Sequence, residues 1–257
     1  MKQILPWSAW NSERKLDAPL HMRRPRVLRV MSDLFHEKLA HAEIARIFAV
    51  MASAPQHTFQ ILTKRPRRMR QWFAEFLPEN VGGWMKGNLR QYVPGTSYLG
   101  PWPLPNVWLG VSVEDQKTAD ERIPLLRQTR AAVRFVSVEP LLEQVDLCLE
   151  PGREVSAPDG GRRGIHWVVV GGESGPGARP LDVAWIRSVM RQCREAGVAC
   201  FVKQLGSWPH RDWSRDEAPL CLKDHGRKLS PFLNLKHPKG GDPSEWPSDL
   251  RVREFPS

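Results

Sequence analysis

Six short apolar runs each lead into side chains able to do ionic or acid–base chemistry. Val27–Met31 leads into Ser32 and Asp33, and Phe59–Thr63 into Lys64 and Arg65. Val107–Val113 contains Ser112 and leads into Glu114 and Asp115, while Arg134–Val138 leads into Glu139 and Pro140. Trp167–Val170 leads into Gly171, Gly172, Glu173 and Ser174, and Cys200–Lys203 ends on Lys203 with Gln204 next. Carboxylates and a lysine sharing a shielded space shift one another's ionisation and can exchange a proton with a bound molecule. Lys203, Glu173 and Glu139 are therefore the candidate catalytic groups. Asp33, Lys64, Arg65, Ser112, Glu114, Gly171, Gly172, Ser174 and Gln204 form the candidate substrate-binding wall. Singly, each has a structural alternative: Asp33, Asp115 and Ser174 could cap a following helix, and Lys64 and Arg65 could lie solvated at a sheet edge. As a set they favour a pocket, because every one of these runs finishes in polar groups.

The sharpest local feature is Gly171-Gly172-Glu173-Ser174-Gly175-Pro176-Gly177. Glycines after a strand allow a tight turn and let backbone N–H groups approach a ligand; geometry alone is the other reading. The run is not GxGxxG, and Pro176 lacks an N–H, so a dinucleotide fingerprint is not indicated. The chain has neither a GxxxxGK[ST] loop nor an HExxH helix. Cys193 and Cys200 read as small core residues flanking a turn at Gly197. With Cys221 and His225 they match no zinc-ligand spacing, so no metal site is expected.

The elements that must carry these groups follow from periodicity. Ile44, Ile47, Phe48 and Met51 make one helical stripe; Met69, Trp72, Phe73, Phe76 and Leu77 make another after Pro66. Ile186, Val189, Met190 and Cys193 make a third, with Asp182 as N-cap and Gly197 as stop. Pro124 predicts that a fourth helix breaks into two pieces. Near-continuous apolar runs alternating with helices predict an α/β fold with a parallel sheet, a (β/α) TIM-like barrel or partial barrel of about six strands. Sites in such folds form at the carboxyl ends of the strands. The expected organisation is an N-terminal extension (1–26), a barrel domain (27–208) with a Gly/Pro/Trp-containing insertion (78–106), and an irregular tail (209–257) packed on the barrel. A polar, Gly-rich loop is expected at Glu150–Gly164. Trp72, Trp167 and Trp185 fall in apolar segments and are expected in the core.

The chain has 257 residues, 41% of them hydrophobic and 26% charged, with a mean hydropathy of −0.44. That profile excludes fibrous and disordered classes. No apolar window is long enough for a membrane span, no secretory h-region follows Met1, and four cysteines make no disulfide framework, so a cytoplasmic setting is expected. The 38 Lys and Arg against 28 Asp and Glu leave a net charge of +10. Such a charge favours a polyanionic partner, nucleic acid or a nucleotide, although arginines on solvated helix faces would give the same sum. Trp84 and Trp102 in the insertion could stack on bases.

RVMSDLFHE, FQILTKRPRRM, LPNVWLGVSVEDQKTADERIPLL, VRFVSVEPLL, WVVVGGESGPGARP, FVKQLGSW and DPSEWPSDLRVREFP occur in this order. Together they resemble the phage and prophage protein family named for gene products 37 and 68, over about residues 16–257. That family in turn resembles radical-SAM enzymes. The resemblance implies an α/β barrel whose first unit carries a CxxxCxxC cluster for [4Fe–4S], with S-adenosylmethionine at the open iron site. No CxxxCxxC occurs in this chain; in the family that unit aligns upstream of residue 16. A longer product, a truncated prophage remnant and a cluster-less form all fit. The Gly-Gly-Glu that radical-SAM enzymes use for the methionine amino group lies near an early strand, so that role is not carried over to Gly171-Gly172-Glu173. Three readings remain: a radical-SAM-like barrel whose strand ends bind SAM or a nucleotide-like substrate, a non-catalytic nucleic-acid or protein-binding module of phage origin, and a functionless fragment with an exposed sheet edge.

Overall fold

The computed structural model describes residues 4–5, 16–30, 32–75, 103–149, 164–210 and 232–256. Met31, Trp84, Trp102, Cys221, His225, most of the 78–106 insertion and the loop at 150–163 lie outside the described residues. The elements in order are β1 (Ile4–Leu5), α1 (Ala18–His21), β2 (Val27–Val30), α2 (His41–Ala52), β3 (Thr58–Thr63), α3 (Pro66–Glu75), β4 (Val107–Ser112) and α4 (Gln116–Arg127). There follow β5 (Val133–Val138), β6 (Trp167–Gly171), β7 (Leu181–Asp182), α5 (Val183–Ala196), β8 (Ala199–Gln204), β9 (Pro209–His210) and two 3-10 turns, Pro243–Glu245 and Ser248–Leu250. The fold is α/β, with a parallel sheet of the partial-barrel class and strand order β1-β2-β3-β4-β5-β6-β8; β7 and β9 pair separately. The chain divides into two compact units: Met1–Ser112 with Arg122–Phe135 and Arg153–Ile165, and Val113–Glu121 with Val136–Gly152 and His166–Ser257.

In the first unit, β1, β2, β3 and β4 pair in parallel, with Ile4 opposite Arg29, Val30 opposite Ile61 and Ile61 opposite Leu109. Alternation is weak because apolar groups are buried on both strand faces, as a sheet with helical cover requires. Helix α2 buries Ile44, Ile47, Phe48 and Met51, the stripe read from its spacing. Helix α3 starts at Pro66, where a missing N–H costs nothing in the first turn. Its Trp72 and Phe73 close an aromatic cluster: Trp72 stacks on Phe48 at 5.1 Å, and Phe73 meets Phe48 edge-on at 5.5 Å. Burying each such side chain contributes roughly 1.5–3 kcal/mol.

Helix α4 runs unbroken through Pro124, so the expected split does not occur. Proline leaves one carbonyl without its helical donor, that of Asp120. Asp120 and Pro124 are both exposed, so water can satisfy that carbonyl, while buried Ala119, Ile123 and Leu126 anchor the helix on either side.

In the second unit, β6 and β8 pair in parallel, Val168 opposite Cys200 and Val170 opposite Val202. The Asp182 carboxylate accepts from the Ala184 N–H at 2.8 Å to start α5, and Gly197 ends it at φ 68°. Trp167 is buried as expected, but Trp185 is only half-buried on α5. Cys193 and Cys200 are core residues flanking the Gly197 turn. No described helix is long and apolar enough to cross a membrane.

One glycine in the first unit is fixed by a neighbouring ring. A Cβ on Gly110 of β4 would stand 2.5 Å from the Phe135 ring. Gly110→Ala is expected to lower unfolding stability by about 1–3 kcal/mol, read from urea denaturation, because the ring must leave its packed rotamer.

Candidate functional site

The end of the second unit's sheet is organised by an ion pair. Glu139, the residue after β5, reaches Lys203 in β8, and its Oε2 accepts from the ammonium at 3.0 Å and from the Ser137 hydroxyl at 3.1 Å. The Glu139 side chain is 15% exposed and that of Lys203 37%, so the pair is part-shielded and contributes on the order of 1 kcal/mol net. Its Oε1 is buried and receives no hydrogen bond. That is the less usual arrangement, because a buried polar atom left without a partner costs roughly 1–3 kcal/mol.

Between the two charged residues passes β6. A Cβ on Gly171 would come within 2.7 Å of Glu139 Oε1 and 3.0 Å of the Gln204 carbonyl oxygen, so glycine leaves clearance for both. A Cβ on Gly172 would be 2.4 Å from the Leu205 carbonyl oxygen. Gly172 and Gln204 bond reciprocally: the Gly172 N–H donates to the Gln204 carbonyl at 3.0 Å, and the Gln204 side-chain amide donates to the Gly172 carbonyl at 3.0 Å. The close approach anticipated for the glycine run is therefore made by the chain's own groups.

Glu173 sits outside this pair and is 31% exposed. Its carboxylate takes Arg179 in a forked contact, Oε2 to Nε at 2.8 Å and Oε1 to Nη2 at 3.1 Å, and also accepts from the Arg179 N–H. These bonds hold its pKa down to about 2, against an ordinary 4.5. Arg179 is pushed up, first by its bonds to Glu173, and the charge of Glu114 adds to this. Glu114 itself is only 9% exposed, and its backbone is held by the Thr118 hydroxyl and the Leu142 N–H. Asp115 caps α4, its carboxylate accepting from the Thr118 N–H at 2.8 Å. Ser174 is half-buried beside Glu173.

In the first unit, Asp33 is the hub. Its Oδ1 accepts from the Phe35 N–H and from the Thr63 hydroxyl at 2.6 Å; its Oδ2 accepts from the Lys64 N–H and from Arg65 at 2.7 Å. Asp33 thus ties the turn after β2 to the end of β3 and caps no helix. Arg65 also donates to Glu37 at 2.8 Å, and the two carboxylates raise its pKa. Lys64 is exposed. Ser112 is buried, and its carbonyl accepts from Arg122 at 2.8 Å.

Of the residues expected at the site, Glu139, Gly171, Gly172, Lys203 and Gln204 are in mutual contact in the second unit, with Glu114, Glu173 and Ser174 also there; Asp33, Lys64, Arg65 and Ser112 belong to the first. Thr63 and Ser137 belong to the polar strand ends, whereas Arg179 and Glu37 lie outside them. Arg179 had a signal: Gly175 and Gly177, at φ 108° and 74°, turn the chain back so that a residue six positions on meets Glu173. Among the described residues, no group of three or more His, Cys, Asp or Glu is placed to hold a metal. Cys148 is exposed, and the Cys193 thiol is pushed up by its contact with Cys200 and by burial.

Lys203→Met leaves the Glu139 carboxylate uncompensated and is expected to lower stability by about 1–3 kcal/mol; adding Glu139→Gln should restore part of that loss in a double-mutant cycle. Arg179→Ala should return the Glu173 carboxyl from about 2 toward 4.5 in an NMR titration. Because the folded-state value is depressed, the pair's stabilisation is present above about pH 4.5 and lost as pH falls toward 2, so the variant should show a flatter acid limb.

No match was found among the curated proteins or among the solved structures. Residues 5–233 match a family described as a protein of unknown function, DUF5131. That match spans most of the strands and the Glu139–Lys203 site, and the chain belongs to this family.

Proposed function

We propose that the chain is a phage-derived, radical-SAM-like partial-barrel protein of the cytoplasm, whose second-unit strand ends bind S-adenosylmethionine or a nucleotide-like molecule carrying an amino-acid group. The observation behind this reading is Glu139, a shielded carboxylate with one oxygen lacking a donor, set against Lys203 across a glycine strand end. An ammonium on the ligand supplies the donor that Glu139 Oε1 lacks, and a ligand carboxylate competes for Lys203. Glu173 and Arg179, already paired and more exposed, present a second opposite-charge couple to a polar ligand. Side-chain motion is needed, since Oε1 is closed off when the ion pair is made.

S-adenosylmethionine supplies an activated methyl group or, beside a reduced iron–sulfur cluster, a radical precursor. The described cysteines do not fit such a cluster: Cys193 and Cys200 are buried in the core, Cys148 is exposed, and among the described residues no group of three or more His, Cys, Asp or Glu is placed to hold a metal. The proposal is therefore of binding, with Glu139 and Lys203 fixing the charged end of the ligand and no chemical step assigned to the cluster.

Calorimetric titration with S-adenosylmethionine and with S-adenosylhomocysteine tests this. Saturable binding weakened at least tenfold by Glu139→Gln and by Lys203→Met, with Arg70→Ala unchanged, is expected. Folded protein that binds neither compound overturns the reading. The net charge of +10 favours a second reading, a basic nucleic-acid-binding module. It predicts fluorescence-anisotropy binding to DNA or RNA that weakens steeply between low and physiological salt, and the absence of binding at low salt ends it.

A further inference from the structure

Strand β8 is the last in its sheet, and an outermost strand presents unpaired N–H and C=O groups to any extended chain. Here the chain's own C-terminal segment takes that place. The Val202 N–H donates to the Val252 carbonyl at 2.9 Å and the Glu254 N–H to the Cys200 carbonyl at 2.8 Å, around an antiparallel bridge between Phe201 and Arg253. Side chains add selectivity to this main-chain pairing. The Glu254 carboxylate accepts from the Cys200 N–H at 3.0 Å, and the Trp167 indole donates to the Glu254 carbonyl at 2.9 Å. Phe255 stacks on Trp167 at 5.5 Å and meets Phe201 edge-on at 5.3 Å, and the Arg253 guanidinium lies 5.2 Å from the Phe201 ring. The segment is anchored upstream by Trp246 and Leu250, both buried.

The family match ends at residue 233, so the acceptor strand lies inside the matched region and the segment that pairs with it lies outside. We infer that the outer edge of β8 is a peptide-binding site that takes an extended Val-Arg-Glu-Phe segment by strand addition, and that the external occupant it fits is the C-terminal segment of a second copy of this chain. Strand addition draws affinity from main-chain bonds and specificity from alternate side-chain pockets. Here the pockets are the Trp167–Phe201 face and the Cys200 N–H. A second copy carries the one sequence already shown to fill both. The inference is independent of any ligand at Glu139 and Lys203.

The test uses the full chain and a variant, Glu254→Pro, which removes the N–H bonded to Cys200 and unseats the segment. A fluorescein-labelled peptide of residues 249–257 should bind the variant saturably in anisotropy titrations. It should bind wild type at least tenfold more weakly, because there the site is filled in cis. A peptide carrying Phe255→Ala should bind the variant at least tenfold more weakly than the parent peptide. Hydrogen exchange at the Val202 amide should be slow in wild type and at least tenfold faster in the variant. A folded variant with fast exchange at Val202 and no peptide binding overturns the inference, and so does one in which exchange stays as slow as in wild type. So does a wild type in which hydrogen exchange finds the Val202 amide unprotected. If Glu254→Pro fails to fold, Phe255→Ala replaces it in the same titration.

Discussion

Glu139 and Lys203 meet across a strand, and much of the second unit's architecture at this end follows from letting them do so. They are 64 residues apart in sequence and approach from the ends of β5 and β8, with β6 between. A Cβ at the last position of β6 would press on Glu139 Oε1 and on the Gln204 carbonyl, and glycine avoids both contacts. The next residue must also be small, because the backbone of Leu205 passes over it. Once both positions are glycine, the main chains of β6 and β8 can come close enough for the reciprocal Gly172–Gln204 bonds. The ion pair and the glycine pair are one device: the charges hold the strand ends together above the sheet, and the glycines provide the clearance.

The two units treat their polar strand ends differently. Around Asp33, both carboxylate oxygens are saturated by Phe35, Thr63, Lys64 and Arg65. That is the pattern of a group that fixes a turn. At Glu139 one oxygen is doubly engaged and the other has no donor. Both residues follow a strand, and both contact a basic side chain. What separates them is whether hydrogen-bonding capacity is left over, a property visible only once the neighbours are placed.

That distinction also marks what could be read from the sequence. The strands were legible because buried parallel strands are nearly continuous apolar runs, and α2, α3 and α5 because their apolar stripes recur at the helical period. Asp182 and Gly197 were readable as cap and stop for the same local reason. Pro124 misled because a proline's effect depends on whether the orphaned carbonyl faces water, which burial decides and spacing does not. Gly171 and Gly172 were recognised as a place of close approach, but what approaches is a carboxylate and a carbonyl of the same chain, brought there by tertiary structure. The C-terminal segment was the least legible: Trp246 and Leu250 are fully buried without helical or strand periodicity, since a segment held by single bridges and ring contacts carries no repeat.

A buried carboxylate oxygen without a donor is destabilising, and the fold had simpler options. An apolar residue at 139 would have left no carboxylate oxygen to satisfy and no charge for Lys203 to balance. Retaining a charged pair where a neutral one would serve stability better fits a group kept for what it meets from outside. Glu173 gives the contrast within the same unit: it is engaged by Arg179 on both oxygens, its charge is held firmly, and it lies more open to solvent. Glu139 combines an oxygen that receives no hydrogen bond with a part-shielded position beside a lysine. Under the proposed binding role, a ligand donating to Glu139 would have to displace Lys203 or slip beside it, which would couple binding to rearrangement of the ion pair and free the lysine for a negative group on the ligand.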